Sequence, residues 1–256
     1  MSMLILLSPA KIQNFDKQNI CEAHSLPHFM SEAQELVRIM QQLPRSELSK
    51  LLEINAQLTQ LNADRYLNWH LPFTPQNAKQ AILVFDGEVF RGLHANGFDA
   101  TDFKFAQKSL LILSGLYGAL RPLDLIQPYR LEVSSKLKTD YGNTLYQFWK
   151  KRLTDYVENH LLENQSNTIV NLASSEYFKA IDAKKLNVRI VDVEFYQYKN
   201  DAYKQIVIYT KKARGLMANY IIKNKLLNAD DMKGFDADGY WFSPQMSTND
   251  KFVFVR

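Results

Sequence analysis

Five consecutive apolar residues, Met3 to Leu7, open the chain and stop abruptly at Ser8-Pro9-Ala10-Lys11. A run this short, with no polar alternation, is expected to be a strand buried on both faces, which is the habit of parallel sheets. The design recurs. An apolar run ending in small residues and then polar groups is found in "LSGLYGALRP" (Ser114, Arg121), "NLASSEYFK" (Asn171, Ser174, Ser175, Glu176, Lys179) and "YTKKARG" (Lys211, Lys212, Arg214). In open α/β sheets ligands bind at the carboxyl ends of strands. Free backbone N–H groups at the following helix starts favour anions. Ser8, Lys11, Arg121, Ser174 and Arg214 are therefore expected around one basic cleft. Each residue alone also has a simpler use: Ser174 as a helix N-cap, Lys11 as a solvated surface lysine.

Helical periodicity fills the intervals. From about Ser31 to Trp69 the pattern predicts three helices, "SEAQELVRIMQQL" stopped by Pro44, "SELSKLLEI" capped by Ser46, and "NAQLTQLNADRYLNW". "AILVF", ended by Asp86-Gly87, reads as a buried strand. Thr101 starts a short helix leading into "SLLILSG". "NTLYQFWKKRLTDYVENHLL" is amphipathic, with Leu145, Phe148, Trp149, Leu153, Tyr156 and Leu161 on its inner face. "TIVNLAS" is a strand followed by a short helix from Ser174. "NVRIVDVEF" and "AYKQIVIYT" read as strands joined by a turn at Lys199-Asn200-Asp201, and "ARGLMANYIIKNKLL" as the last helix. The expected class is mixed α/β, or α+β, in one domain spanning residues 1–256.

Charge and cysteine usage narrow the partners. The net charge is only +4, but residues 179–225 hold 11 Lys or Arg against 4 Asp or Glu. That asymmetry points to a basic face. A single cysteine, Cys21, excludes an internal disulfide and suits a reducing cytoplasm. No window approaches a membrane span. The N-terminal run lacks the preceding basic residue of a signal peptide.

"LLSPAK", "SGLYGALRPLDLIQPYRLE", "LYQFW", "NLASSEYFK" and "KKARGLM" occur in this order. Together they resemble the YaaA family of bacterial peroxide-stress proteins, and the resemblance runs from Met3 to about Phe254. It implies a cytoplasmic protein that protects DNA and protein from hydrogen peroxide and keeps loose iron low. It also implies binding of double-stranded or branched DNA, and an unusual fold with a positively charged cleft and a helix-hairpin-helix element. Such elements aim hairpin N–H groups at phosphates, with glycines allowing close approach. Gly115 and Gly118 would then form the hairpin after a helix from Asp102 to Ser109, and Arg121 would pair with a phosphate. The helices between Met30 and Trp69, which lack glycine, are the other location. The DNA-contacting set would be Ser8, Lys11, Gly115, Gly118, Arg121, Arg130, Ser174, Lys179, Lys211, Lys212 and Arg214. The family pattern carries an arginine where this chain has Asn219, a basic contact that Lys223 and Lys225 would have to replace.

Two other function classes compete. Arg121, Arg130 and Glu132 lie on irregular backbone among aromatics. They could belong to an internal ion network or to the anion site of an enzyme acting on nucleotides or damaged nucleic acid. The chain has no Walker loop, GxSxG, zinc motif or dinucleotide fingerprint, so no cofactor is expected and no reaction follows from motif. An iron-handling protein without DNA binding would need ligands. Cys21, His24 and His28 have helical spacing, but Pro27 breaks that helix, and no metal site is expected there. A monomer is expected.

Overall fold

The computed structural model describes residues 2–16 and 20–256. The elements run β1 (Ser2–Leu7), α1 (Met30–Gln42), α2 (Arg45–Leu52), α3 (Ala56–Asn68), β2 (Lys79–Gln80), α4 (Ala81–Val84), α5 (Glu88–Leu93), α6 (Ala100–Ser109), β3 (Leu110–Ser114), β4 (Gly118–Leu120) and β5 (Leu125–Ile126). They continue with α7 (Leu145–Glu163), β6 (Ser166–Asn171), α8 (Ser175–Phe178), β7 (Arg189–Lys199), β8 (Ala202–Lys204), α9 (Val207–Lys223), β9 (Trp241–Phe242) and β10 (Lys251–Val255). An eight-stranded sheet has the order β4-β3-β1-β6-β7-β10-β9, with β8 paired to β7. The pairings β3–β1, β1–β6, β6–β7 and β7–β10 are all parallel. The carboxyl ends of those strands therefore share one edge. The expected mixed α/β class holds. β1 is central, and Leu4 to Leu7 are fully buried, because helices cover both faces of a parallel sheet.

One hydrophobic cluster joins the sheet to α1, α5, α6, α7 and α9. Thr144 caps α7, and Leu145, Phe148, Trp149, Leu153 and Leu161 are buried as the periodicity requires, with Tyr156 packed at the margin of the core. Asp99 and Asp102 form a reciprocal capping box on α6. The acidic Asp102, almost fully buried, is held by Lys223 at 2.7 Å and by Lys225. These two lysines thus bind a carboxylate. Asn219 donates to the Leu93 carbonyl at 2.8 Å.

Three local expectations fail, each for a tertiary reason. "AILV" is a helical turn, α4, because Ala81 and Ile82 donate to the carbonyls of Asp124 and Pro122 on a neighbouring loop. α2 starts at Arg45 with Pro44 at the cap position, so Ser46 is not the cap. The β8 strand ends at Lys204, and the β-branched "IVIYT" opens α9 from Val207. Its Val207, Ile208 and Tyr209 are exposed, so β propensity had no cross-strand partner to act through.

The stretch from Ser114 to Arg130 is a tight β-hairpin and a buried loop, which rules out the helix-hairpin-helix expected there. Ile112, Leu113 and Ser114 pair antiparallel with Leu120, Ala119 and Gly118. Gly118 has φ +68, and a Cβ there would lie 2.6 Å from the Trp149 ring. A Cβ on Gly115 would strike the Leu131 carbonyl oxygen at 2.1 Å. The tyrosines are anchors. The Tyr117 hydroxyl accepts from Trp69 Nε1 at 3.1 Å and from the Gln127 N–H at 3.2 Å, and Tyr129 bonds Ser114 at 2.7 Å. Burial raises both phenols well above their ordinary range. The other expected location does contain two helices, α2 and α3, joined by Glu53, Ile54 and Asn55. Glu53 is left-handed at φ 51, and Asn55 caps α3 by accepting from the Leu58 N–H.

Candidate functional site

At the carboxyl edge of the sheet lies a cavity of about 340 Å³. Its wall combines the turn after β1 (Ser8 to Gln13), the start of α5 (Gly87 to Val89), the segment Tyr129 to Glu132, the residues after β6 (Leu172, Ser174, Glu176, Tyr177), and Lys211 and Arg214 of α9. Six of the residues singled out in the sequence converge here from distant positions: Ser8, Lys11, Arg130, Ser174, Lys211 and Arg214. Glu132, noted for the enzyme reading, and Glu176, noted after the apolar run of "NLASSEYFK", line it too. The strand-end rule carries most of this. Lys211 and Arg214 arrive differently, from the second and third turns of a helix.

Five members of the set lie elsewhere. Gly115 and Gly118 are locked in the buried hairpin. Arg121 binds Asp124 at 3.0 Å and donates to the Leu26 carbonyl at 3.1 Å. Asp124 is fully buried and also accepts from Ser25 at 2.6 Å and from the Arg121 N–H at 2.8 Å. Burial raises the Asp124 carboxyl, and the Arg121 charge pulls it back down. Arg121 therefore neutralises an internal carboxylate. Lys212, one residue from Lys211, points the other way round the helix to Asp238 at 3.4 Å. Lys179 is exposed just after α8 and is not part of the cavity wall.

The cavity is not a uniformly basic groove. Four cations, Lys11, Arg130, Lys211 and Arg214, face three carboxylates, Glu88, Glu132 and Glu176. Two carboxylates are engaged at the rim: Glu88 binds Arg91 at 2.7 Å, and Glu176 accepts from Ser134 at 2.7 Å. Glu132 is different. Its Oε1 lies 3.2 Å from Lys11 Nζ and 3.4 Å from Arg130 Nε. Those are charge contacts of poor hydrogen-bond geometry, and Oε1 and Arg130 Nε are both left without a hydrogen-bond partner. The side chains of Arg130 and Glu132 are only 18% and 16% exposed. Arg214 Nε is also buried and unpartnered. Burial draws the Arg214 pKa below its ordinary value, and Glu194 opposes this. Buried polar atoms without hydrogen-bond partners are uncommon, and all three belong to residues of the cavity wall.

Supporting contacts hold these groups in place. The Ser8 hydroxyl donates to Ser174 Oγ at 3.2 Å and accepts from the Ser174 N–H at 2.8 Å, tying the β1 and β6 ends together. Ser174 does cap α8, accepting from the Tyr177 N–H at 3.5 Å. Tyr66 donates to the Arg130 carbonyl at 2.5 Å. α5 and α9 pack backbone to backbone. A Cβ on Gly92 would sit 2.2 Å from the Lys212 carbonyl oxygen, and one on Gly215 would sit 1.8 Å from that of Val89. This crossing sets Gly215 against Val89, and Val89 and Arg214 both line the cavity. The sequence reading missed it, although Gly215 inside the last predicted helix was a visible signal.

The described residues hold no cluster of three or more His, Cys, Asp or Glu side chains suited to a metal ion. His28 stacks against Phe29 and Tyr156, and His24 contacts the Glu22 carbonyl. None of the helices among the described residues is long and apolar enough to cross a membrane. A family model described as peroxide stress protein YaaA matches residues 3–246, which takes in every wall of the cavity. The chain belongs to the YaaA family of peroxide stress proteins.

Proposed function

We propose that this peroxide stress protein binds DNA and seats one nucleotide, at an end, gap or branch, in the cavity at the sheet edge. The observation that carries this reading is Arg214, a residue of the cavity wall whose Nε has no hydrogen-bond partner, with Lys211 and the Arg130–Glu132 pair lining the same cavity. A guanidinium without a partner suits a phosphate oxygen. A carboxylate held by charge contacts alone retains acceptor capacity for the donors of a base or sugar. The mixed lining favours a nucleotide over a bare phosphate track. The volume, about 340 Å³, sits at the low end of ligand pockets, roughly 300–1,000 Å³, enough for one residue of a strand. The α2–α3 pair has the connectivity of a helix-hairpin-helix element. With Glu53 at its turn it is a secondary contact to the backbone, because a carboxylate there repels phosphate. In this reading the protein acts as a cytoplasmic monomer and limits iron-dependent oxidative damage at the DNA sites it occupies.

An enzyme acting on nucleotides is the second reading, favoured by Glu132, whose carboxylate is held between Lys11 and Arg130 with one oxygen unbonded.

Fluorescence anisotropy with a gapped duplex, an end-blocked continuous duplex and a nucleoside monophosphate competitor tests the proposal. Arg214→Gln should fold normally, weaken gapped-DNA binding about 10-fold or more, and lower the log–log salt slope by about 0.9. The monophosphate should displace the gapped duplex. Equal binding to the blocked duplex, with no competition, would overturn the nucleotide site. Turnover of the monophosphate, abolished in Glu132→Gln, would move the second reading to first place.

A further inference from the structure

β7 is eleven residues long and outruns its neighbours. Its pairing with β10 ends at Tyr196. Beyond that point β8 accompanies it, through Gln197–Lys204, Tyr198–Tyr203 and Lys199–Ala202, and on the other side a last hydrogen bond runs from the Tyr198 N–H to the Arg256 carbonyl at 2.8 Å. Asn200 and Asp201, both left-handed at φ 53 and 55, close the ribbon. Such a two-residue turn twists the strands tightly together. Three residues of β7 at about 3.3 Å each lift the tip about 10 Å past the end of that pairing. The edge it rises from is the carboxyl edge, where Ser8 and Ser174 bound the cavity. The chain leaving β8 enters α9, which carries Lys211 and Arg214 to the same cavity.

A two-stranded ribbon has no core, and large aromatics on it are costly to leave in water. Tyr198 is nevertheless 60% exposed and Tyr203 42% exposed. They are a cross-strand pair on one face, ring centroids 5.4 Å apart. Lys199 and Lys204, the next residue along each strand, are also exposed but project from the opposite face of the ribbon. Two open rings give the bases of an unpaired strand π-faces to stack on, and the lysines on the other face add positive potential at the ribbon for its phosphates. A duplex offers its bases only edge-on and gains nothing from the rings.

We infer that the β7–β8 ribbon is a stacking platform for unpaired nucleotides that adjoin the one in the cavity, so that the protein selects DNA with a single-stranded segment over continuous duplex. This rests on the proposed nucleotide site. The tyrosines supply a sequence-tolerant contact, and Lys199 and Lys204 behind them add long-range attraction that salt weakens.

The test uses the full chain, a duplex with a three-nucleotide gap carrying 2-aminopurine, and the matching continuous duplex. The double variant Tyr198→Thr/Tyr203→Thr keeps β-branched residues in the ribbon and removes both rings. The parent should quench the 2-aminopurine on binding. The double variant should lose the quenching and bind the gapped duplex roughly 10-fold more weakly, the loss of about one base–aromatic stack, with continuous duplex bound as before. Unchanged gapped-DNA affinity and no quenching by the parent would overturn the inference. So would sedimentation showing a parental dimer that the double variant abolishes, since the rings would then serve a second copy of the chain. The parental quenching needs no variant, so a poorly folding variant leaves the inference testable. The two readings fail separately: Arg214→Gln weakening all binding while the tyrosine variant is silent removes the platform alone. Loss of gapped-DNA binding in the tyrosine variant without any effect of Arg214→Gln removes the cavity site alone.

Discussion

Gly215→Ala should destabilise the protein, although a simple view of helices predicts the reverse. Gly215 lies inside α9, where alanine is favoured over glycine by about 1 kcal/mol. On propensity alone the variant would melt higher. The tertiary structure reverses the sign. The added methyl would sit 1.8 Å from the Val89 carbonyl oxygen and 2.7 Å from the Leu93 N–H nitrogen. Ordinary contact begins near about 3.4 Å, so α5 and α9 must separate by about 1.5 Å. Both obstacles are backbone, so no rotamer change relieves them. Overpacking a core costs about 1–3 kcal/mol and more when backbone must move. Subtracted from the propensity gain, about 2 kcal/mol of net loss remains. At about 2–4 °C per kcal/mol for a domain of this size, Tm should fall by about 4–8 °C. The separation also displaces Arg214, the residue before Gly215 and part of the cavity wall, so nucleotide binding should weaken in the surviving fold. Thermal unfolding followed by circular dichroism, with monophosphate titration at a temperature where the variant is folded, measures both. A Tm equal to or above that of the parent would refute the reasoning, because the backbone contact between α5 and α9 could not then be real.

Arg121→Gln should cost about 3 kcal/mol, by leaving buried Asp124 without its counter-charge, while DNA affinity and salt slope stay at parental values; a stable variant with a lowered slope would return Arg121 to the DNA surface. Asp102 gives a pH prediction. Burial raises its pKa, but hydrogen bonds from Lys223, Lys225 and the Asp99 N–H outweigh this and bring it from 3.8 to about 2. A carboxylate depressed in the folded state contributes stability above its unfolded pKa, and that contribution is lost as pH falls from about 4 toward 2. Urea midpoints across that range should drop more steeply for the parent than for Asp102→Asn; parallel slopes would show that the ion triad is not the source. Glu132→Gln should lower stability, since largely buried Arg130 loses its ion-pair partner, and lower the salt slope less than Arg214→Gln, since it removes no cation; an equal fall in slope would mean that Glu132 organises the whole site.

The linear order of residues was enough to place much of this protein. Apolar runs stopped by small residues have one economical use, strands buried on both faces, and β1, β3 and β6 follow from them. The strand-end rule then gathers Ser8, Lys11 and Ser174 at one edge. Helices α1, α3 and α7 were legible because periodicity is a local property of a long segment. What needed tertiary structure was anything decided by a partner distant in sequence. "AILV" becomes helical because its N–H groups meet the carbonyls of Pro122 and Asp124. "IVIYT" enters a helix because no strand pairs with it. Arg121 and Arg130 are both arginines on the same irregular loop, nine positions apart. One turns inward to Asp124 and the other to the cavity with Glu132, and only the packing of Tyr66, Tyr117 and Tyr129 beneath that loop decides which. Charge composition could count the lysines between positions 179 and 225. It could not say that Lys223 and Lys225 bind Asp102 and that Lys212 binds Asp238, because ion pairing depends on distances in space that the order of residues does not contain.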